Sequence, residues 1–348
     1  MTQSTVPSVD PGSPRVAVIG GGANGEHEVS LASAAGVVGA LRALGADVVP
    51  LTVDRQGGWH LEGAGALTPA DAVAVLTGCA LAFPVLHGVD GEDGAVAGLL
   101  RMTGVPFVGS PVRAGALATD KWATKLVAEA VGVATAPGVL LPVDAVPEDV
   151  ALVPPLVVKP TSAGSSDGVS RVDDLAGLPD AIARARAAGD RVLVESFVSG
   201  REVDVALFRD SAGELRAGST LEIGVPSDGL FDREAKYDGS AEFTLPARVT
   251  RVERAEVERA ARLLYEVLGC SGVARFDFFV TPAGVVLNEV NTAPGFTERS
   301  QVPRMFAAVG LGYVDLVAAL VDAALLPATS RPRPGPGRQA VAPSRPTW

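Results

Sequence analysis

The sequence predicts an N-terminal α/β domain built on a parallel sheet, followed by an α+β region that divides near Ser196. Up to about residue 110, short apolar strands alternate with amphipathic helices, a pattern typical of a parallel sheet covered by helices. From Val139 onward the pattern shifts toward strands, and these end in a hairpin with several polar side chains. With 348 residues, of which 47% are hydrophobic, the chain is long enough for two or three domains.

The first part of the chain alternates strands and helices in order. A short buried strand leads into a glycine turn, a helix ends at Gly45, and a second strand follows. Later come a strand that enters a loop at His87, a helix, and a further helix with Thr119 as its predicted N-cap. These segments read RVAVIGGG, HEVSLASAAGVVGALRALG, ADVVPLTVD, LAFPVLHG, GAVAGLLRMTG and TDKWATKLVAEAVG.

The second part of the chain contains more strands than helices. Two strands flank a Gly/Ser loop and a helix, two antiparallel strands are joined at 211–213, and a long helix precedes a hairpin. We find no internal repeat. These segments read PPLVVKP, DLAGLPDAIARARAAG, RVLVESFV, REVDVALFRD, ELRAGSTLEI, RVERAEVERAARLLYEVLG, GVARFDFFV and GVVLNEVN.

Both ends of the chain are predicted to be disordered. Residues 1–14 lack the basic start and apolar stretch of a secretory signal, and residues 327–348 are rich in Pro and Arg. No apolar run reaches the roughly 18 residues of a membrane span. The net charge of −11 argues against nonspecific binding to nucleic acids or membranes. Cys79 and Cys270 are expected to be buried free thiols of a cytoplasmic protein.

The C-terminal hairpin is the strongest candidate for a metal site. Glu289 and Asn291 share one face of their strand, as Arg275 and Asp277 do on the preceding strand. A three-residue loop at 282–284 would place Asp277 opposite Glu289 and Arg275 opposite Asn291. Three oxygen ligands would then converge as Mg²⁺ requires when it also binds substrate phosphates. The alternative is a structural strand pair in which Arg275 neutralises two acids.

The use of lysine is selective, because four lysines occur among 29 basic residues. A compact ammonium suits phosphate binding, so a retained lysine indicates such a site. Lys159 precedes a Gly/Ser loop whose N–H and hydroxyl groups could also bind phosphate, although a merely flexible loop is the alternative. Lys121 and Lys236 fit the same interpretation. Lys125 is expected to be a surface residue retained by chance.

Two N-terminal loops support competing hypotheses. Residues 20–25 have the G-x-G-x-x-G spacing of a dinucleotide-binding turn, with Asp54 as a ribose acceptor, so an NAD(P)-dependent oxidoreductase is a rival. Glu26 and Glu28 oppose this, because they would place carboxylates beside the pyrophosphate. Glu26 could instead bind a cationic amine. His87 either lines a ligand site at the carboxyl end of the sheet or is structural.

Two further signals are weak when taken alone. Glu195 ends one strand and Glu202 begins the next, so these acids either bind adenine and ribose or are solvated. Lys236 and Tyr237 lie in the polar loop FDREAKYDG, and loops carry function more often than their share.

Together these stretches resemble the D-alanine–D-alanine ligases of the ATP-grasp superfamily. The resemblance runs from about Arg15 to about Ala324, and its landmarks are GEHEVSLASA, FPVLHGVDGEDG, TDKWATK, VVKPTSAGSSDGV, VESFVSGRE, EAKY, RFDFF and NEVNTAPGFTERSQVP. It implies a Rossmann-like domain at 15–110 and a two-part ATP-grasp fold with subdomains at 111–196 and 197–326. ATP would bind between these two subdomains.

The resemblance also implies a role for each matching residue. The implied ATP-binding residues are Lys121, Lys159, Ser166, Glu195, Val198, Glu202, Lys236 and Phe279. The implied ligands of two Mg²⁺ or Mn²⁺ ions are Asp277, Glu289 and Asn291. The implied substrate-binding residues are Glu26, Ser30, His87, Arg275, Ser300 and Gln301. The implied catalytic residues are Glu26, Ser165, Tyr237, Arg275 and Gly295.

In such a ligase, one D-alanine carboxylate attacks the γ-phosphate of ATP to give an acylphosphate. The amine of a second D-alanine then attacks the acyl carbon. Arg275 and the backbone N–H of Gly295 would stabilise the tetrahedral oxyanion. Glu26, Ser165 and Tyr237 would form a hydrogen-bonded trio that closes two loops and keeps water from the acylphosphate.

The identity of the second substrate is open at this stage. Tyr237 favours an amine nucleophile, because relatives that make D-alanyl-D-lactate generally lack this tyrosine. Arg233, Glu298 and Arg299 depart from the family pattern, so another second D-amino acid, used in a biosynthetic or self-resistance pathway, is the first alternative. The resemblance otherwise implies a cytoplasmic homodimer that uses ATP and D-alanine for peptidoglycan precursor synthesis and has no nucleic-acid or membrane partner.

Overall fold

The computed structural model describes residues 14–142, 147, 150–189, 191–224 and 242–326. These residues form three β-sheets and nine α-helices. Within these ranges no helix combines the length and apolarity that crossing a membrane requires. Lys236, Tyr237 and Arg233 lie outside the described residues, as do the two predicted disordered ends apart from Pro14.

The N-terminal part is a five-stranded sheet with three helices. Its elements are β1 Arg15–Gly21, α1 His27–Ala43, β2 Asp47–Val53, β3 Trp59–Leu61, β4 Gly65–Leu67, α2 Pro69–Thr77, β5 Leu81–Pro84 and α3 Ala95–Thr103. The strand order is β4-β3-β2-β1-β5, and β1 is parallel to both β2 and β5. Val16 and Val18 pack into one core and Ala17 and Ile19 into another, so both faces of β1 are covered. The predicted parallel arrangement is confirmed for these three strands, and an antiparallel β3–β4 hairpin extends it.

The second sheet has four antiparallel strands and follows two short helices. Its region contains α4 Val112–Thr119, α5 Lys121–Ala130, β6 Ala134–Thr135, β7 Gly138–Leu141, β8 Leu156–Pro160, β9 Ser170–Val172, α6 Leu178–Ala188 and β10 Val192–Ser196. The order is β7-β10-β8-β9, with α6 packed on the sheet. The predicted N-cap Thr119 was wrong, since it ends α4. Asp120 caps α5, because its carboxylate accepts the N–H groups of Trp122 and Ala123.

The third sheet carries most of the candidate site. Its region contains β11 Arg201–Arg209, β12 Leu215–Ala217, β13 Leu221–Gly224, β14 Glu242–Thr244, α7 Arg251–Leu268, β15 Ala274–Thr281, β16 Gly284–Asn291, α8 Gln301–Ala307 and α9 Tyr313–Leu325. The strand order is β14-β13-β11-β15-β16-β6, and β12 pairs with β11 beside this path. The single strand predicted for ELRAGSTLEI is in fact two, β12 and β13. The two strands are separated at Gly218, where the backbone packs so closely on α8 that a Cβ would lie 2.8 Å from the Cβ of Met305.

The β15–β16 hairpin reaches the predicted pairing by a different route. Asp277 stands opposite Glu289 and Arg275 opposite Asn291, as expected. The strands, however, pair up to Thr281 and Gly284, so the turn has two residues instead of three. A β-bulge after Asp277 inserts one extra residue in β16 and restores the predicted register.

One apolar core joins the N-terminal sheet to the third sheet. Phe83 of β5 contacts Phe296 with ring centroids 5.9 Å apart, and Phe296 contacts Tyr313 of α9. The chain at the carboxyl end of β5 is thereby packed against the chain that follows β16. Both cysteines are free thiols, as predicted, with Cys79 buried and Cys270 half-buried.

Candidate active site

The predicted metal and oxyanion residues lie together on β15 and β16. The guanidinium of Arg275 donates two hydrogen bonds of 2.7 Å to the two carboxylate oxygens of Asp277. Arg275 also donates to Gln301 Oε1 at 2.8 Å, which links it to the start of α8. Glu289 and Asn291 complete the adjacent positions on β16. The structure therefore brings together the residues of both the metal hypothesis and the structural ion-pair hypothesis.

A buried acid that the sequence analysis missed lies beside this group. Asp204 of β11 stands opposite Asp277, and its carboxylate is 3.6 Å from the Arg275 Nε. Neither carboxylate oxygen of Asp204 accepts a hydrogen bond from any group in the described ranges. Burial, together with the charge of Asp277, raises the pKa of Asp204 well above its usual range. The available signal was a pair of acids at alternate positions of REVDVAL, Glu202 and Asp204.

The donor chemistry of the predicted metal ligands fits a hard divalent cation. Asp277, Glu289 and Asn291 offer carboxylate and carboxamide oxygens on neighbouring strands, the ligand type that Mg²⁺ and Mn²⁺ prefer. Among the described residues, no three His, Cys, Asp or Glu side chains are arranged to hold an ion by themselves. A cation here would therefore depend on the Asn291 amide and on substrate phosphate oxygens, as is common for Mg²⁺.

Glu195 is buried between two lysines at the end of β10. Its carboxylate lies 2.8 Å from Lys125 Nζ and 2.5 Å from Lys159 Nζ. Burial acts to raise the pKa of Glu195, but the charges of Lys159 and Lys125 outweigh it and lower this pKa. Lys125 also donates to Thr135 Oγ1 and to the Ala136 carbonyl. The expectation that Lys125 is a surface residue was wrong, because its buried acceptors hold it inside, with 4% exposure.

Four more of the predicted nucleotide-binding residues, Lys121, Val198, Glu202 and Phe279, lie on α5, on β11 and β15, or between β10 and β11. Glu202 is the second residue of β11 and stands opposite Phe279 of β15. Val198 lies in the short connection between β10 and β11. Lys121, the first residue of α5, has its Nζ 3.5 Å from Glu289 Oε2. The contact of Lys121 with Glu289 therefore links α5 to the β15–β16 hairpin.

The Gly/Ser loop after β8 contacts the N-terminal domain. Ser165 Oγ donates to Glu26 Oε1 at 2.5 Å, so two members of the predicted trio are hydrogen-bonded. Ser165 and Ser166 have φ angles of 52° and 59°, in the left-handed region that side chains with a Cβ seldom adopt. Such backbone geometry is concentrated at functional sites. The third member, Tyr237, is outside the described residues.

His87 is buried in the chain just after β5, beside the chain that follows β16. Its Nδ1 lies 2.7 Å from the Ala293 carbonyl oxygen and its Nε2 lies 3.3 Å from Ser33 Oγ. Burial lowers the pKa of His87 below its usual range. The nearby Glu92 has one carboxylate oxygen 4.0 Å from His87 Nδ1. Burial, with the charge of Glu26, raises the pKa of Glu92 to about 8.

The predicted second-substrate residues cluster just before α8. Ser300 Oγ accepts the N–H of Thr297 at 3.1 Å, and a Cβ on Gly295 would lie 3.5 Å from that oxygen. Gln301 is bonded to Arg275 as described above. Ser30, by contrast, is fully buried, and its hydroxyl bonds backbone groups of β1 and of the chain after β5. Ser30 therefore fixes α1 against the sheet.

The glycine motif forms a tight turn. A Cβ on Gly21 would lie 2.1 Å from the Val53 carbonyl oxygen, so this position requires glycine. Asp54, the proposed ribose acceptor, instead binds His60 at 2.7 Å and two amides of its own turn. The carboxylate that an oxidoreductase would need for its dinucleotide is thus already engaged.

Two solved structures share this fold over almost the whole chain. The VanG D-Ala:D-Ser ligase of Enterococcus faecalis is 32% identical, with 89% of this chain and 99% of that chain covered and a TM-score of 0.79. The D-alanine-D-alanine ligase of Coxiella burnetii is 27% identical, with 90% and 94% covered and a TM-score of 0.76. The mixed α/β fold is therefore consistent with an ATP-grasp type of ligase.

Sequence comparison identifies the family within this class. The model of the D-ala D-ala ligase C-terminus matches residues 143–322, and that of the N-terminus matches residues 15–77 and 63–110. The D-alanine--D-alanine ligase of Rhodococcus jostii is 38% identical over 357 residues, which covers 89% of this chain and 96% of that protein. The chain belongs to the D-alanine–D-alanine ligase family.

Proposed function

We propose that this chain is an ATP-dependent ligase that joins two D-alanines into D-alanyl-D-alanine for peptidoglycan precursor synthesis. The observation that carries the proposal is the 3.5 Å contact between Lys121 and Glu289. In this contact, Lys121, which we assign to the ATP phosphates, meets Glu289, which we assign to the metal. Family membership supports the same activity.

The chemistry proceeds through two displacements. A carboxylate oxygen of the first D-alanine attacks the γ-phosphorus, and the bond to ADP breaks. The amine of the second D-alanine then attacks the acyl carbon, and the phosphate leaves with the electrons of the carbon–oxygen bond. Glu26 binds the first ammonium group, while Arg275 and the Gly295 N–H stabilise the oxyanion. Ser300 and Gln301 hold the second carboxylate, and His87 lies near the first.

Exclusion of water is the task of the closing loops. The 2.5 Å hydrogen bond from Ser165 to Glu26 joins the loop after β8 to the N-terminal domain. Tyr237 completes this contact in our proposal. A closed site keeps the acylphosphate for the amine instead of losing it to hydrolysis.

The proposal also assigns residues to the nucleotide and to the divalent cations. We assign the ATP phosphates to Lys121, Lys159, Ser166 and Lys236, and the adenosine to Glu195, Val198, Glu202 and Phe279. Asp277, Glu289 and Asn291 would hold two Mg²⁺ or Mn²⁺ ions. Bound divalent cations would reduce the charge repulsion between the triphosphate and the attacking carboxylate.

The molecular organisation is part of the proposal. We assign a Rossmann-like domain to residues 15–110 and the two ATP-grasp subdomains to 111–196 and 197–326. We also propose that the protein acts as a homodimer in the cytoplasm.

A second candidate is a ligase of the same chemistry with another second D-amino acid. The similarity to a structure described as a D-Ala:D-Ser ligase favours keeping this candidate. Glu298 and Arg299, close in sequence to Ser300, depart from the family pattern in the same region.

The deciding experiment is phosphate release from ATP with Mg²⁺ and D-alanine, with the products separated and identified. D-serine, D-lactate and L-alanine are tested in parallel. D-alanyl-D-alanine from D-alanine alone is the expected result. Turnover with a mixed pair but not with D-alanine would support the second candidate, and no ATP-dependent ligation would overturn both.

A further inference from the structure

Ser33 is a fully buried serine on α1 to which the proposed machinery gives no role. Its Oγ accepts the backbone N–H of Phe296 at 3.1 Å. The same hydroxyl lies 3.3 Å from His87 Nε2. One side chain of the N-terminal part therefore contacts both His87 and the segment 291–296, which carries Gly295.

The hydrogen bonds define the protonation of His87. Its Nδ1 lies 2.7 Å from the Ala293 carbonyl oxygen, which can act as an acceptor and not as a donor, so Nδ1 carries the proton. Burial lowers the pKa of His87, so the ring is neutral and Nε2 keeps a lone pair. The Ser33 hydroxyl donates to this lone pair while its oxygen accepts from Phe296. The charged groups that act on the ring are Glu26, Arg275 and Glu92.

Segment 291–296 is held from two directions. Among the described residues, it bonds to its surroundings through His87 at the Ala293 carbonyl, Ser33 at the Phe296 N–H, and Tyr313 at the Phe296 carbonyl at 2.8 Å. Within the segment, the Ala293 N–H donates to Asn291 Oδ1 at 3.0 Å. Of the bonds to its surroundings, those of His87 and Ser33 come from the N-terminal domain. That domain therefore fixes a stretch of backbone that lies between a proposed metal ligand and the start of α8.

We propose that Ser33 and His87 are positioning residues for the oxyanion site. By holding segment 291–296, they set the place of the Gly295 backbone relative to Arg275. Both ring nitrogens of His87 are engaged by protein groups, so His87 acts through the segment and not by binding the first D-alanine. This inference rests on the proposed ligase function.

Three variants test the inference by steady-state kinetics. Ser33→Ala removes the shared hydroxyl, His87→Gln removes the donor at the Nδ1 position, and His87→Asn keeps an N–H donor at about that position. We expect Ser33→Ala and His87→Gln to lower kcat by about tenfold to hundredfold, with KM values changed less than about threefold. His87→Asn should restore part of the kcat that His87→Gln loses.

A matched control is Ser170→Ala. Ser170 is also a buried serine, and its hydroxyl accepts a hydrogen bond of 3.1 Å from Arg184 on α6. Its loss should leave kcat unchanged. A raised KM for the first D-alanine in both His87 variants, with unchanged kcat in Ser33→Ala, would show direct substrate binding and overturn the inference.

A second measurement does not depend on activity. The chain has three histidines, so nitrogen NMR of histidine-labelled protein is simple, and His87→Asn assigns the signal. Between about pH 6 and pH 8 the His87 ring should be neutral with its proton on Nδ1, and Ser33→Ala should shift the Nε2 signal. A proton on Nε2, or a charged ring at neutral pH, would overturn the inference even if the protein ligates D-alanine.

Discussion

Lys121 Nζ lies 3.5 Å from Glu289 Oε2, and the same ammonium donates to the Ala163 carbonyl at 2.9 Å. One lysine thus connects the C-terminal hairpin to the loop that also carries Ser165. A ligand that draws Lys121 toward its phosphates would act on both elements together. Because of this contact, removing the charge of Glu289 is the most direct test of the proposed metal and phosphate site.

Glu289→Gln should abolish turnover while the fold stays intact. The substitution removes one negative charge from the proposed metal ligands and leaves an oxygen of similar position, so kcat should fall by at least about hundredfold. Binding of Mn²⁺ in the presence of an ATP analogue, followed by electron paramagnetic resonance, should weaken in parallel. Glu214→Gln, at an exposed acid, is the control. Near-normal activity and Mn²⁺ binding would refute the assignment of Glu289 to the metal.

Lys125→Met should weaken nucleotide binding although Lys125 was not among the predicted ATP residues. It removes the 2.8 Å partner of Glu195, which then turns toward Lys159 alone. Loss of this buried charged bond should destabilise the fold by about 1–3 kcal/mol and raise the dissociation constant of an ATP analogue by about tenfold. Calorimetric titration measures the affinity. Lys125→Arg, which keeps the charge, should recover part of it, and an unchanged affinity in Lys125→Met would contradict the prediction.

Ser165→Ala should uncouple ATP hydrolysis from ligation. It removes the 2.5 Å hydrogen bond to Glu26, so the loop after β8 closes less tightly and water reaches the acylphosphate. The ratio of phosphate released to dipeptide formed should rise from about one to at least about two. Tyr237→Phe should act in the same direction if the trio is complete. An unchanged ratio in both variants would contradict loop closure by these residues.

The sequence predicted the site better than it predicted the local geometry. Alternation along two strands was enough to place Arg275, Asp277, Glu289 and Asn291 together, because side-chain direction in a strand has a fixed period. The turn and the bulge that produce this register were not predicted. The turn is one residue shorter than predicted and the bulge adds one residue to β16, so the two differences cancel. The pattern of side chains along a strand does not reveal a bulge.

Contacts between distant segments were the main omission. Lys125 and Asp204 looked ordinary in sequence because their burial depends on partners from other elements, such as Glu195 and Arg275. The bonds of Ser33 and His87 to segment 291–296 likewise span more than 200 residues, with separations of 263 and 206. No local pattern encodes such a contact. The family resemblance implied a substrate-binding role for His87, but it named no role for Ser33, Lys125 or Asp204.

Glu92 should make the stability of the metal-free protein depend on pH. Burial and the charge of Glu26 raise its pKa from 4.5 to about 8 in the folded state, so the folded protein holds this proton more tightly than the unfolded chain. The stabilising contribution of the Glu92 proton is therefore fully present below about pH 4.5, and it is lost as the pH rises through about 8. Glu92→Gln cannot lose that proton. Its advantage over the parent protein in the free energy of unfolding should grow with pH, by up to about 4 kcal/mol.

Chemical unfolding in the presence of a chelator, at about pH 5 and about pH 9, measures this difference. Any packing effect of the amide is the same at both pH values, so the change between them isolates the titration of Glu92. Glu214→Gln, at an exposed acid, should show no such change. An equal difference between Glu92→Gln and the parent protein at both pH values would mean that Glu92 titrates alike in the folded and unfolded states, which would contradict the raised pKa.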